Sequence, residues 1–212
     1  MFDVFFANLP YLLKGMLITI EFAFGGIVVG TLLGVGLGIL AVVFPSVVGK
    51  LIAVYVFVIR GIPVLVWMFM GYTGLGALIS DFMAVLIVLI LYTSAFVAEI
   101  ARGAILSVHH GQIESAKSVG MRWPLMLRLV ILPQAINISL PALVNNSIMI
   151  IKATAYVSVV GVWELSYAAR EVVERTLAAL DVFLGVMMMY FVICYPLAII
   201  ANRLEKRFAF QH

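Results

Sequence analysis

Five stretches of the chain, residues 22–49, 61–80, 82–98, 129–151 and 182–202, contain no charged side chain. A helix crossing a bilayer needs about 20 predominantly apolar residues. With Arg60 allowed inside the second stretch, the pattern predicts five transmembrane helices near 15–43, 51–79, 82–105, 134–158 and 181–202. Hydrophobic residues make up 65% of the 212 positions and charged ones 11%, roughly half the charged share of an ordinary soluble domain. The mean hydropathy is +1.22. These values exclude a soluble enzyme, a disordered regulator and a nucleic-acid binder, and predict an all-α integral membrane protein forming one domain over 1–212. The sequence begins Met1-Phe2-Asp3 without a basic n-region, and the first long apolar run is longer than the core of a signal peptide, so the segments are expected to stay in the membrane.

The net charge of +3 says less than where the cations fall. With the N-terminus outside, the cytoplasmic side collects Lys50, Arg102, Lys117, Arg122, Arg128, Arg203, Lys206 and Arg207, and the opposite side holds Lys14, Arg170 and Arg175. The positive-inside rule therefore predicts an external N-terminus and a cytoplasmic C-terminus, in agreement with an odd number of spans. In the first span Gly26, Gly30, Gly34 and Gly38 repeat every fourth residue. Such a stripe lets another backbone approach closely in lipid, although Gly25 and Gly36 lie off it and membrane helices are glycine-rich in general. Ahead of it, Phe2, Phe5, Phe6 and Leu9 suit an interfacial anchor, with Pro10 in the first turn of a helix.

The informative polar insertion lies between the third and fourth spans, over 106–133. Ile113, Ala116 and Gly120 share one helical face, with Glu114, Lys117 and Ser118 elsewhere, which predicts a short amphipathic helix with its small residues on the contact side. Gly120 is suited to end it in a left-handed turn, Pro124 to open a second helix, and Pro133 to break the entry into the next span. Such a segment fits a groove on a partner protein or lies on the membrane surface.

Ionisable and amide groups at membrane depth mark a pathway or a structural pair. Lys152 stands near Asn145, Asn146, Ser147 and Thr154, and Asn145 and Lys152 share a face. That face suits the carboxylate and polar groups of an amino acid; pairing with a carboxylate or snorkelling is the competing reading. Arg60 adjoins Gly61 and Pro63, where a helix break would free backbone groups to line a cavity. Glu99 and Arg102, three apart, form either a gate or a local ion pair. His109 and His110 point about 100° apart on a helix and have no further histidine nearby, so no metal site is expected. Cys194, the single cysteine, reads as a small buried hydrophobe. Ala169, Val172, Val173, Thr176 and Leu177 make an apolar stripe beside a Glu171–Arg175 pair, on a surface helix that either meets a partner or covers the bundle.

Glu114-Ser115-Ala116, then Gly120, then Val130-Ile131-Leu132-Pro133 resembles the Glu-Ala-Ala, Gly, Ile-x-Leu-Pro signature of bacterial ABC importer permeases, with Ser115 and Val130 as departures. Arg60-Gly61-Ile62-Pro63, Ser94-Ala95-Phe96 with Glu99-Ile100 and Arg102-Gly103, and Ile151-Lys152-Ala153-Thr154 with Ser158-Val159 resemble elements of the polar amino acid branch. The resemblance implies a type I importer permease in the bacterial cytoplasmic membrane. It would form half of a transmembrane dimer, homo- or heteromeric, and be fed by an extracytoplasmic solute-binding protein. Two ABC ATPase subunits would drive it. It implies a coupling helix built on Glu114, Ser115, Ala116 and Gly120, with Leu132 and Pro133 completing the signature, and a substrate path including Lys152, Asn145, Asn146, Thr154 and Arg60. No GxxxxGK[ST] sequence is present, so ATP and Mg are expected on the partner ATPase, with no cofactor and no enzymatic step in this chain. An ATP-independent secondary transporter or channel is the alternative, though inverted repeats and buried acids for ion coupling are not evident.

Overall fold

The computed structural model describes residues 2–209, whose regular elements are all helices, with no strand among them. In chain order they form α1 (Asp3–Ala7), α2 (Leu9–Val43), α3 (Val47–Gly61), α4 (Val64–Leu75), α5 (Asp81–Leu106), α6 (His110–Ser118), α7 (Trp123–Met126), a π-helical turn (Leu127–Ile131), α8 (Leu132–Ala153), a 3-10 segment (Thr154–Val160), α9 (Leu165–Thr176) and α10 (Ala179–Ala209). Among the described residues four helical runs are long and apolar enough to cross a membrane: Leu9–Val43, Asp81–Leu106, Trp123–Val160 and Ala179–Arg207. The pair α3 and α4 makes a fifth if it counts as one span.

The seam of the bundle is α2 against α5, and the glycine stripe makes it. A Cβ added at Gly30, Gly34 or Gly38 would stand 2.5, 2.6 and 2.7 Å from the Cβ atoms of Thr93, Val97 and Ala101 respectively. Gly36, off the stripe, meets nothing within 4 Å. The two helices advance in step four residues at a time, so they run parallel, and the chain between them must return to the opposite end of the bundle. α3 and α4 make that return together. α8 runs antiparallel to α5, with Ile150 in one cluster with Leu89 and Ala135 in another with Ala104 and Ile105.

The span expected over 51–79 is broken beside Gly61 and Pro63, where the sequence offers a break: α3 and α4 meet at a bend of 102°. Pro63 has no N–H to give the carbonyl of Ile59, and its ring disfavours helical backbone at Ile62 before it. The freed carbonyl is taken by the Trp67 indole N–H at 3.1 Å, which pins α4 back onto α3. Pro133 does the reverse of what its chemistry predicts. The chain does not break there, because the turn ahead of it widens to π geometry, with Leu132 N–H bonded to the Leu127 carbonyl, and the helix continues.

At the other end of the bundle α9 lies across α1, α2 and α10. Ala169 and Val172 of the predicted apolar stripe are fully buried against the chain's own core, whereas Leu177, at φ 57, is 87% exposed. The stripe therefore covers the bundle. Phe5 is likewise no surface anchor: it fills a notch left by Gly185, where a Cβ would lie 2.0 Å from the ring, while Phe6 faces outward.

Candidate functional site

The α6 segment is built from local signals. His109 caps the helix, its Nδ1 accepting the Gly111 N–H at 3.1 Å, so this histidine has a structural task. At the far end Gly120 adopts φ 74, its N–H bonds the Lys117 carbonyl at 2.9 Å, and the Met121 N–H bonds the Ala116 carbonyl at 3.1 Å. These two bonds satisfy the last carbonyls of the helix in the manner of a Schellman turn. Pro124 then opens α7 in its first turn. Ala116 faces the bundle, buried with Val108, Met126 and Ile131, and so does not lie on the partner-facing side where the amphipathic pattern puts it. Glu114, Ser115 and Gly120 are exposed, flanked by the exposed apolar residues Val119, Trp123 and Leu125. Leu132 is half-buried and Pro133 exposed on the helix that continues upward. The result is a polar knob, seated on the bundle by its small side, with an apolar patch beside it.

The pathway candidates fall into two groups. Arg60, exposed at the end of α3, lies over the Phe96 ring with its guanidinium carbon 5.0 Å from the centroid. It lines a groove of about 830 Å³ together with Lys50, Phe57, Phe96, Glu99 and Arg102. Glu99 and Arg102 form a two-pronged pair in that groove, Nε donating to Oε2 at 3.1 Å and Nη2 to Oε1 at 2.6 Å. The second group lies on α8. Asn145 and Lys152 are exposed on one face, as their spacing requires, but Asn146 and Thr154 turn into the core, where the Thr154 hydroxyl donates to the Ile151 carbonyl at 2.6 Å. Neither Lys152 nor Asn145 lines the Arg60 groove, so the structure does not gather the five candidates into one cavity.

Two acidic clusters escape sequence reading. Glu164 is fully buried and caps α9. Its Oε1 accepts the Tyr167 N–H at 3.0 Å, and its Oε2 accepts the hydroxyls of Thr19 at 2.9 Å and Tyr190 at 3.2 Å. Burial pushes its carboxyl above the ordinary carboxylate range, opposed by the bonds from Thr19, from the Tyr167 and Ser166 backbones and from Tyr190. Glu171 accepts the Tyr11 hydroxyl and, at 3.0 Å, the Trp163 indole N–H. The expected Glu171–Arg175 ion pair is thus replaced: Arg175 Nε donates to the Glu171 backbone carbonyl at 3.2 Å, and Arg170 pairs with Glu174 at 3.8 Å. A charged residue directly after an apolar segment and three before a helix turn was the one available sign of Glu164; its partners on α2 and α10 leave no local trace.

Known proteins place this architecture. The family described as binding-protein-dependent transport system inner membrane component matches residues 30–210. The chain is similar to the probable glutamine ABC transporter permease protein GlnM of Bacillus subtilis, 41% identical over 156 residues that cover 72% of each chain. It is also similar to the glutamine transport system permease protein GlnP of Escherichia coli, 32% identical over 205 residues covering 94% of this chain and 93% of that one. The crystal structure of an amino acid ABC transporter with histidines superposes with a TM-score of 0.90 at 31% identity, covering 98% of both chains. The α6 knob beneath an all-helical bundle and these likenesses lead to one assignment: the chain is an ABC importer permease, a member of the binding-protein-dependent transport system inner membrane component family.

Proposed function

We propose that this chain forms half of the path by which a polar amino acid enters a bacterial cell, and that α6 is where ATPase motion reaches it. The observation that carries the reading is the seating of α6: Ala116 is buried in one cluster with Ala104 and Ile105 of α5 and Ala135 of α8, and the Gly120 turn closes the helix's own end, so a push on its exposed face moves those helices instead of bending a loop. Glu114 and Lys117 offer charge to a partner groove, and Val119, Trp123 and Leu125 offer apolar area. The ATPase subunits bind ATP and Mg, a second permease chain completes the path, and an extracytoplasmic binding protein delivers the solute. The chain performs no covalent step. The N-terminus lies outside and the C-terminus in the cytoplasm, which puts α6 on the ATPase side and α9 on the binding-protein side, in keeping with the cation distribution.

The relatives' glutamine and amino acid transport supports an amino acid as cargo. So does the chemistry of the open faces: Arg60 in the groove and Lys152 beside Asn145 on α8 are cations and amides suited to a carboxylate. The Glu99–Arg102 pair, closed on itself in the groove, serves as the gate candidate. The test is thermal stabilisation of the complex, purified with its ATPase subunits and binding protein, across the amino acids. Stabilisation by one polar amino acid, lost in Lys152→Ala or Arg60→Ala, supports the assignment; stabilisation by another solute class alone overturns it.

A further inference from the structure

At the end of the bundle opposite α6, three helices meet on one carboxylate. Gly15 brings the first turn of α9 against the backbone of α2, where a Cβ would stand 2.9 Å from the Leu165 Cα. One turn further along α2, the Thr19 hydroxyl accepts the Leu165 N–H at 3.1 Å and donates to Glu164. From α10, Tyr190 reaches the same Oε2 atom, contacts the Ser166 hydroxyl at 3.2 Å and lies beside Thr154. All the hydrogen-bond donors on Glu164 are neutral. Burying a carboxylate this way costs more than an apolar residue of the same size, so stability alone is a poor reason for it. Its distinctive property is geometric, because two hydroxyls from different helices must converge on one oxygen.

We propose that Glu164 is a positioning residue of the transport cycle: its carboxylate ties the far ends of α2, α9 and α10 into one body that moves as a unit when force enters at α6. Force received there passes through Ala104, Ile105 and Ala135 into α5 and α8. α8 does not continue rigidly into the tied body. It gives way to the 3-10 segment Thr154–Val160 and to Gly161 at φ 89, a stretch whose tighter turns and left-handed end absorb rotation. The end of α8 meets the tied body through Ile148 and Ile151, which pack with Ala23 of α2 and Cys194 of α10, and through Thr154 beside Tyr190. Without the carboxylate, Tyr190 and Thr19 lose their common acceptor, the three helix ends keep only the non-directional packing around Leu12, Leu165 and Val186, and ATP is hydrolysed without a matching opening of the far side.

The proposal rests on the reading of α6 as the coupling helix. Its test is the ratio of solute taken up to ATP hydrolysed, measured with the complex reconstituted in vesicles with its ATPase subunits and binding protein, and a radiolabelled amino acid mixture as probe. Glu164→Gln is expected to keep ATP hydrolysis within about two-fold of wild type and to lower the ratio by about ten-fold, the scale of a lost hydrogen bond to a charged group. Thr19→Val and Tyr190→Phe are each expected to lower it about three-fold, the double variant no more than Glu164→Gln, because all three act through one oxygen. Thr19→Ser, which keeps the hydroxyl, restores it. An unchanged ratio in Glu164→Gln overturns the proposal, as does a proportional loss of uptake and hydrolysis with a lower melting temperature. Should Glu164→Gln fail to assemble, the contrast between Thr19→Ser and Thr19→Val decides. Gly120→Trp run alongside separates the two readings: normal uptake there sinks the coupling role of α6, whatever Glu164 shows.

Discussion

The two ends of this bundle are built on opposite principles. At the α6 end the contacts that shape the helix are short in sequence: His109 caps a residue two away, Gly120 closes the helix it ends, and Ala116 is buried in one cluster with residues of the neighbouring α5, α7 and α8. The charged side chains face outward and are left for a partner. At the α9 end contacts join residues more than a hundred positions apart, Thr19 to Glu164 and Tyr11 to Glu171, and these two carboxylates are bonded by tyrosine, threonine and tryptophan donors of the chain itself. In the proposed cycle one end receives a force from outside and the other holds several helices in a fixed relation.

The sharpest way to break that contrast is at Gly120. Its position is open, with nothing within 4 Å of an added Cβ, yet its φ of 74 is hospitable to glycine and asparagine. Gly120→Trp is expected to insert into the membrane normally and to abolish both uptake and stimulated ATP hydrolysis in reconstituted vesicles. Gly120→Asn, which tolerates the left-handed turn and adds little bulk, should retain most of both. If Asn fails as completely as Trp, the turn and not the outward surface is what matters.

Between the ends runs the α2–α5 seam, which allows a second comparison within one helix. Gly34→Ala forces a Cβ to within 2.6 Å of Val97 and 2.7 Å of the Ser94 carbonyl, and is expected to destabilise by about 1–3 kcal/mol in thermal or denaturant unfolding. Gly36→Ala meets open space and should be neutral or stabilise by about 0.5–1 kcal/mol, the helix preference of alanine. Equal effects at the two sites would mean that the seam is not the close contact the stripe builds. A smaller loss, about 1 kcal/mol, is expected for Tyr11→Phe, which removes one donor from Glu171 and leaves the Trp163 indole on it.

The contrast also explains what could be read before the fold was known. The glycine stripe, the left-handed turn at Gly120, the helix start at Pro124 and the break near Pro63 are consequences of single residues acting on their own backbone, and each is where its chemistry puts it. The orientation of α6 was misjudged because Ala116 and Gly120 look like a contact face for any neighbour, and the nearest neighbour is the chain's own bundle. Thr154 and Asn146 share a neighbourhood in sequence with Lys152 but not a face of the helix, since buried and open sides alternate within one turn. Pro133 was misread because a π turn can absorb a missing donor without ending a helix. Glu164 was invisible for a deeper reason. A fully buried carboxylate is legible from its partners alone, and those stand on α2 and α10.

The smallest effect bears on that same group and turns on the sign of its titration. Burial holds the Glu164 carboxyl above the value it has in the unfolded chain. Its contribution to stability is therefore fullest below the unfolded carboxyl pKa, and is lost as the pH rises through the folded value, where the buried group must ionise. Glu164→Gln has no such proton to lose. The melting temperature of wild type should consequently fall relative to Glu164→Gln as the pH is raised from about 4 to about 7, each measured on the assembled complex. A gap that stays constant over that range would mean that the bonds from Thr19, Tyr167 and Tyr190 cancel the cost of burial, leaving the carboxylate as comfortable inside the bundle as in water. In that event the α9 end, like the α6 end, would carry its charge at no cost in stability.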